Sequence, residues 1–210
     1  MIRIGLIDGA LPDARADLFD QIRLCEADGS PAAENHAGAM ADTIRAQAGE
    51  VHFVNAVVFP GRLATSVATV CAALDWLVEN PPEIVLCSFG MALPSVELTA
   101  KTHALLQARS LIVASAPARG EPVYPAAIDG VVSVQGDARC LPGELSRLDL
   151  PQATYGACPA ATCNPDIRGA SVAAAHMAGL LAKHWRGTAD NTLAALETAI
   201  RYHGRERRTG

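Results

Sequence analysis

Five short apolar runs rich in branched residues punctuate this chain: Ile2–Ile7, Val51–Phe59, Ile84–Cys87, Leu111–Ala114 and Val131–Val134. Longer stretches with helical spacing lie around Ala37–Gln47, Ala64–Val78, Ser95–Ala108, Ser171–Trp185 and Asn191–Tyr202. That alternation is the pattern of an α/β chain, a mostly parallel sheet with helices on both faces. Pro81-Pro82 ends one helical stretch before the third strand, because proline lacks the backbone donor and crowds the preceding turn. The sequence holds no internal repeat, low-complexity tract or linker, and 210 residues suit one domain over 1–210 at about 150 residues per domain. Half the residues are hydrophobic, enough for a sizeable core.

Charge and composition exclude several functions. Seventeen basic against twenty-two acidic residues leave a net charge of −5, the wrong sign for a nucleic-acid partner. The basic cluster from Arg201 to Arg208 is expected to be a solvated, frayed helix end. No apolar run reaches the ~18 residues of a membrane helix, and no export signal opens the sequence, so no membrane partner and a cytoplasmic location are expected. Six scattered cysteines fit small buried side chains in a reducing compartment. Cys158 and Cys163 have the gap of a zinc half-site, but no second pair completes it; no metal and no cofactor are expected, and a local disulfide is left open.

Ligands of open parallel sheets bind beyond the carboxyl ends of strands, and the first such end carries Asp8-Gly9. The residues that follow lack the glycine-rich turn or lysine-bearing loop of a nucleotide site. Farther on, Gly169-Ala170-Ser171 opens an apolar, small-residued helix. Ser171 has two readings there. It is either an N-cap or a nucleophile whose own amide, at the positive helix end, helps hold an oxyanion. A nucleophilic serine needs an imidazole to take its proton and a carboxylate to orient that ring. His36, at the start of a helical stretch, and Asp8 supply both, in the order acid, base, nucleophile.

Along most of its length the sequence resembles the subtilisin-like serine proteases. Ile4-Gly5-Leu6-Ile7-Asp8 is similar to that family's aspartate strand. His36 to Ile44 is similar to its histidine helix, with Ala37-Gly38-Ala39 where the family has Gly-Thr-His. Arg168 to Gly179 resembles its serine block, with Ala170 for threonine and Ala175 for proline. Asp75-Trp76 with Ile84 to Gly90 resembles the helix and strand beside the substrate cleft, and Tyr124 to Val134 the strand after the oxyanion region. The resemblance implies a three-layer subtilisin-like fold and a triad of Asp8, His36 and Ser171 that hydrolyses peptide bonds through an acyl-enzyme. It further implies an extended peptide or protein substrate paired along Ser88-Phe89-Gly90, with Phe59-Pro60-Gly61 on its other side and Ala114-Ser115-Ala116 forming a pocket wall. Trp76 and Trp185 are expected core anchors, and His52, His103, His176, His184 and His203 are expected to be structural.

The sequence departs from the family in three ways. The asparagine that donates to the oxyanion falls at Ala118, a loss of about a hundred- to a thousandfold in turnover as measured in a member of that family. Candidate replacements are the Ser171 amide, Arg119, Asn164 or another loop amide. Only seven residues precede Asp8, so folding without a pro-segment is expected, and there is no Asp-rich calcium loop. An uninhibited intracellular protease must be selective or slow, which points to a dedicated maturation enzyme removing a leader from one precursor peptide. The compact form is similar to small subtilisin-like proteases associated with maturation of the peptide-derived subunit of quinohemoprotein amine dehydrogenase. A catalytically silent peptide-binding module is the rival reading, supported by Ala118; an esterase or acyltransferase using the same three residues is a third.

Overall fold

A computed structural model describes residues 1–205. In chain order the elements are β1 (Ile2–Asp8), β2 (Leu18–Arg23), α1 (Ala32–Ala48), β3 (Val51–Val57), α2 (Val67–Glu79), β4 (Ile84–Cys87), α3 (Val96–Gln107), β5 (Leu111–Ser115), β6 (Val132–Gly136), β7 (Leu145–Arg147), β8 (Tyr155–Ala157), α4 (Ala170–Lys183), α5 (Ala189–Glu197) and β9 (Ile200–His203). One nine-stranded sheet runs β2-β3-β1-β4-β5-β6-β8-β7-β9. All its pairings are parallel except β7 with β8.

Register explains why the central strands are apolar throughout. Ile4, Ile84 and Leu111 align across β1, β4 and β5, as do Leu6, Leu86 and Val113. These six face a core shared with α1 and α4, while Ile7, Val85, Cys87 and Ile112 face a second core under α2 and α3. Both faces are buried, so no position on these strands can remain polar except at their ends. The expected three layers are therefore present. Ser66 and Ser95 cap α2 and α3, their hydroxyls accepting from Thr69 and Leu98 amides.

Two close approaches lock α1 in place. A Cβ on Gly9 would stand 2.2 Å from the Ala33 carbonyl oxygen, and one on Gly179 would stand 2.7 Å from the Ile44 oxygen and the Gln47 Cβ. Only glycine lets α1 begin against the end of β1 and cross α4 this closely.

The far edge differs from the sequence expectation. The last helix stops at Glu197, and Ile200–His203 pairs with β7 as a strand. Arg201 lies on that strand, which replaces the expected frayed helix end; Arg207 and Arg208 lie outside the described residues. The sequence reading also missed β2, β7 and β8. β2 is a largely exposed edge strand, and β7 and β8 are only three residues long. Trp76 and Trp185 pack against the two cores but are only half-buried, anchors of the core margin rather than its centre. All six cysteines are free, Cys158 buried and Cys163 exposed. Burial pushes the Cys87 and Cys140 thiols up to about 12, which keeps them protonated and unreactive.

Candidate active site

Asp8 closes β1 between β3 and β4, and its carboxylate is almost completely buried. It accepts from the Gly9 amide at 2.7 Å, from the Ser88 hydroxyl, and from His36 Nδ1 at 2.9 and 3.0 Å to its two oxygens. These three donors fix the direction of the buried carboxylate. His36 comes from the start of α1, which the Gly9–Ala33 contact seats beside the strand end. Burial alone would push the imidazole pKa down; the Asp8 hydrogen bond and charge outweigh it, and the pKa lies above the ordinary histidine value. The Nδ1 bond leaves Nε2 as the nitrogen available to a nucleophile.

Ser171 is the second residue of α4, after Gly169 and Ala170, so it is not the cap. Gly169 occupies that position with no side-chain bond, and the Ser171 amide is among the orphan donors at the positive helix end. Its hydroxyl donates to the Ser88 carbonyl at 2.7 Å rather than to His36. Ser88 thus grips both partners, its hydroxyl on the acid and its carbonyl on the serine.

His36, Ser88 and Ser171 line one cleft of about 540 Å³ with Phe59, Leu63, Ala64, Thr65, Phe89, Gly90 and Met91. Phe59 and Phe89 meet edge to face at 6.2 Å. Gly90 must be glycine: a Cβ there would lie 2.5 Å from Val123 Cγ2. Of the residues expected along the substrate, Ser88, Phe89, Gly90 and Phe59 border this cleft. Gly61 does not; its carbonyl accepts from the Ala33 amide beneath the loop. Leu63 to Thr65 and Met91, which the sequence reading missed, complete the walls; their apolar character had no periodicity to announce it.

Other expected positions lie elsewhere. Ala114, Ser115 and Ala116 are buried on β5 and just beyond it, and are absent from the cleft lining because Ala114 and Ala116 belong to the core under α2 and α3. Arg119 borders a second cavity instead. Asn164 is exposed, its side-chain oxygen accepting from the Asp166 amide in its own turn. Neither Arg119 nor Asn164 borders the cleft, so the Ser171 amide and another loop amide stay as the candidate donors. Asp75 pairs with Lys101 on the surface, away from the cleft. His176 is fully buried, with Nδ1 against Gln47 and Nε2 on the Ala160 carbonyl, so it ties α4 to α1 and to the 158–161 segment. Among the described residues, no three or more His, Cys, Asp or Glu side chains converge to hold a metal ion, and no helix is long and apolar enough to cross a membrane.

No family model and no curated protein matches the sequence. Solved structures do. A cold adapted subtilisin-like serine proteinase aligns with a TM-score of 0.72 at 18% identity, over 93% of this chain and 81% of that one. The fold is subtilisin-like. A prenylagaramide maturation protease, PagA, aligns with a TM-score of 0.63 at 19% identity, over 87% of this chain and 74% of that one. Within this subtilisin-like fold, the start of α1 and the start of α4 bring His36 and Ser171 to one cleft, and the end of β1 sets Asp8 buried against the His36 ring.

Proposed function

We propose that the chain is a serine endopeptidase in which Asp8, His36 and Ser171 form the catalytic triad. One observation carries this reading: a buried carboxylate bonded to His36 Nδ1, on a cleft that Ser171 shares at the positive end of α4. His36 Nε2 takes the Ser171 proton as the hydroxyl attacks the scissile carbonyl, then returns it to the leaving amine, and water cleaves the acyl-enzyme by the reverse sequence. Asp8 holds the ring's tautomer and stabilises the imidazolium. The Ser171 amide holds the oxyanion; with Ala118 at the asparagine position, turnover is slow. The cleft takes an extended peptide beside Ser88-Phe89-Gly90, between the Phe59 and Leu63–Thr65 walls.

A slow protease suits one dedicated cut, the removal of a leader from a precursor peptide, and the likeness to a protein named as a maturation protease supports that role. Six free thiols support action in the reducing cytoplasm.

Labelling with a fluorophosphonate probe tests the reading: the unaltered chain labels, and Ser171→Ala does not. Because His36 must be neutral to act as base and its pKa is raised, labelling rises with pH through a limb above the ordinary value near ~6.5. The second reading, a silent peptide-binding module, draws on the Ser171 hydroxyl being bonded to Ser88 rather than His36. Absent labelling with retained peptide binding would establish it.

A further inference from the structure

A second cavity of about 660 Å³ lies beside the 118–120 loop and the end of β6, and none of its lining residues borders the cleft. Its chemistry is polar. Arg119 and Arg205 stand at it without an ion pair or hydrogen-bonded side-chain partner among the described residues. The one acid on its wall is already engaged: buried Asp137 takes Arg139 through both carboxylate oxygens and the Ser146 hydroxyl at 2.6 Å. Among the described residues the two arginines therefore form a positive site with no acid paired to them.

A second observation is independent of that charge. Gln135 is 8% exposed, its Oε1 is sealed from solvent with no partner, and its amide nitrogen has none among the described residues. Gln152, 8% exposed, stands on the same wall. Native proteins rarely leave a sealed amide oxygen unmatched, and each such group calls for a partner. A carboxylate or phosphate alone offers only acceptors and so leaves amide oxygens unmet. A peptide group offers N–H and C=O together, and an acidic side chain beside it offers the carboxylate that paired arginines grip.

We propose that this cavity binds an acidic residue of the peptide substrate: its carboxylate between Arg119 and Arg205, its backbone amide against Gln135. The identity of the ligand as substrate rests on the protease reading; the site itself does not. The cavity is large enough for the residue with its neighbours, and far larger than one carboxylate fills. It would act as an anchor outside the cleft lining, selecting precursors that carry an acidic position.

The test uses the full chain carrying Ser171→Ala, labelled with nitrogen-15, titrated with acetyl-Gly-Glu-Gly-amide. The expected result is saturable shifts of the amide signals of Ala118 to Gly120 and Gln135 to Asp137. The Gln analogue of the tripeptide, and the variants Arg119→Ala and Arg205→Ala, should each bind about tenfold more weakly or worse. Gln135→Leu keeps the volume and removes both amide ends, and should weaken binding similarly. Equal binding of the Glu and Gln peptides, equal binding of inorganic phosphate or acetate, or shifts confined to Ser88 to Met91 overturns the proposal. Fluorophosphonate labelling without these shifts removes the site and leaves the protease. Shifts without labelling remove the protease and leave the site.

Discussion

The centre of the sheet and its β7–β9 edge are held together by different forces. β1, β4 and β5 are sandwiched between helices, and most of their side chains are fully buried and apolar. At the edge, strands of three or four residues are tied by side-chain polar bonds. Asp137 holds Arg139 and Ser146, Arg139 lies 5.2 Å over the Tyr202 ring, and Arg147 bonds the Tyr155 hydroxyl at 2.8 Å and Glu197. The centre relies on area removed from water, which neither salt nor acid touches directly; the edge relies on charges, which both weaken. Asp8 ends β1, a strand paired on both sides by β3 and β4 and well inside the sheet.

Substitutions of graded size break or sharpen this contrast. The largest effect is on activity at the centre: Asp8→Asn leaves the fold intact and lowers turnover of a peptide substrate by about four orders of magnitude, because His36 is held in the wrong tautomer. Next comes a cavity in the central core. Leu86→Ala, at a fully buried position, lowers unfolding free energy in urea by about 2–5 kcal/mol. At the edge, Asp137→Asn costs about 1–3 kcal/mol by leaving Arg139 and Ser146 poorly matched.

That third variant also carries a pH signature. Burial alone would raise the Asp137 carboxyl pKa, but the Arg139 and Ser146 hydrogen bonds outweigh it and hold the group below its ordinary range. A depressed folded-state value stabilises the fold above the unfolded pKa of about 4, and the gain is lost as pH falls through the folded value. Thermal melts from pH 7 down to pH 2 should show that loss in the unaltered chain and a smaller one in Asp137→Asn. The smallest effect is at the rim: Arg147→Ala changes stability by about 1 kcal/mol or less, since its partners Asp149 and Glu197 are exposed. A loss at Arg147 matching that at Leu86 would erase the distinction between the two regions.

The same distinction governs what the sequence discloses. The five runs are readable because two-sided burial leaves little polar in them beyond Arg3, His52, Asn55 and Ser133, and Ile84–Cys87 matches the strand to the residue. β7, β8 and β9 are not, because three or four residues leave no room for a period and their stabilising bonds span distant positions such as Arg147 and Glu197. The stretch from Asn191 to Tyr202 read as one helix since its apolar spacing continues past Glu197, where pairing with β7 takes over. At the site, the resemblance named Asp8, His36 and Ser171 together; Asp8 bonds His36, and His36 and Ser171 border the same cleft. What no pattern announced was the part played by Ser88 and by Leu63 to Thr65, whose positions depend on tertiary approach and not on local sequence.

The seating of Gly9 under Ala33 has an architectural corollary. Asp8 and His36 are clamped by neighbours in space, while the chain between them runs out to form β2 at the rim and returns. That excursion is tied back to the clamp, since the Asn55 amide bonds both the Gly9 carbonyl and Gln21 on β2. The exposed residues 12–14 are where a graft or a tag can be spliced while Asp8 and His36 stay in register.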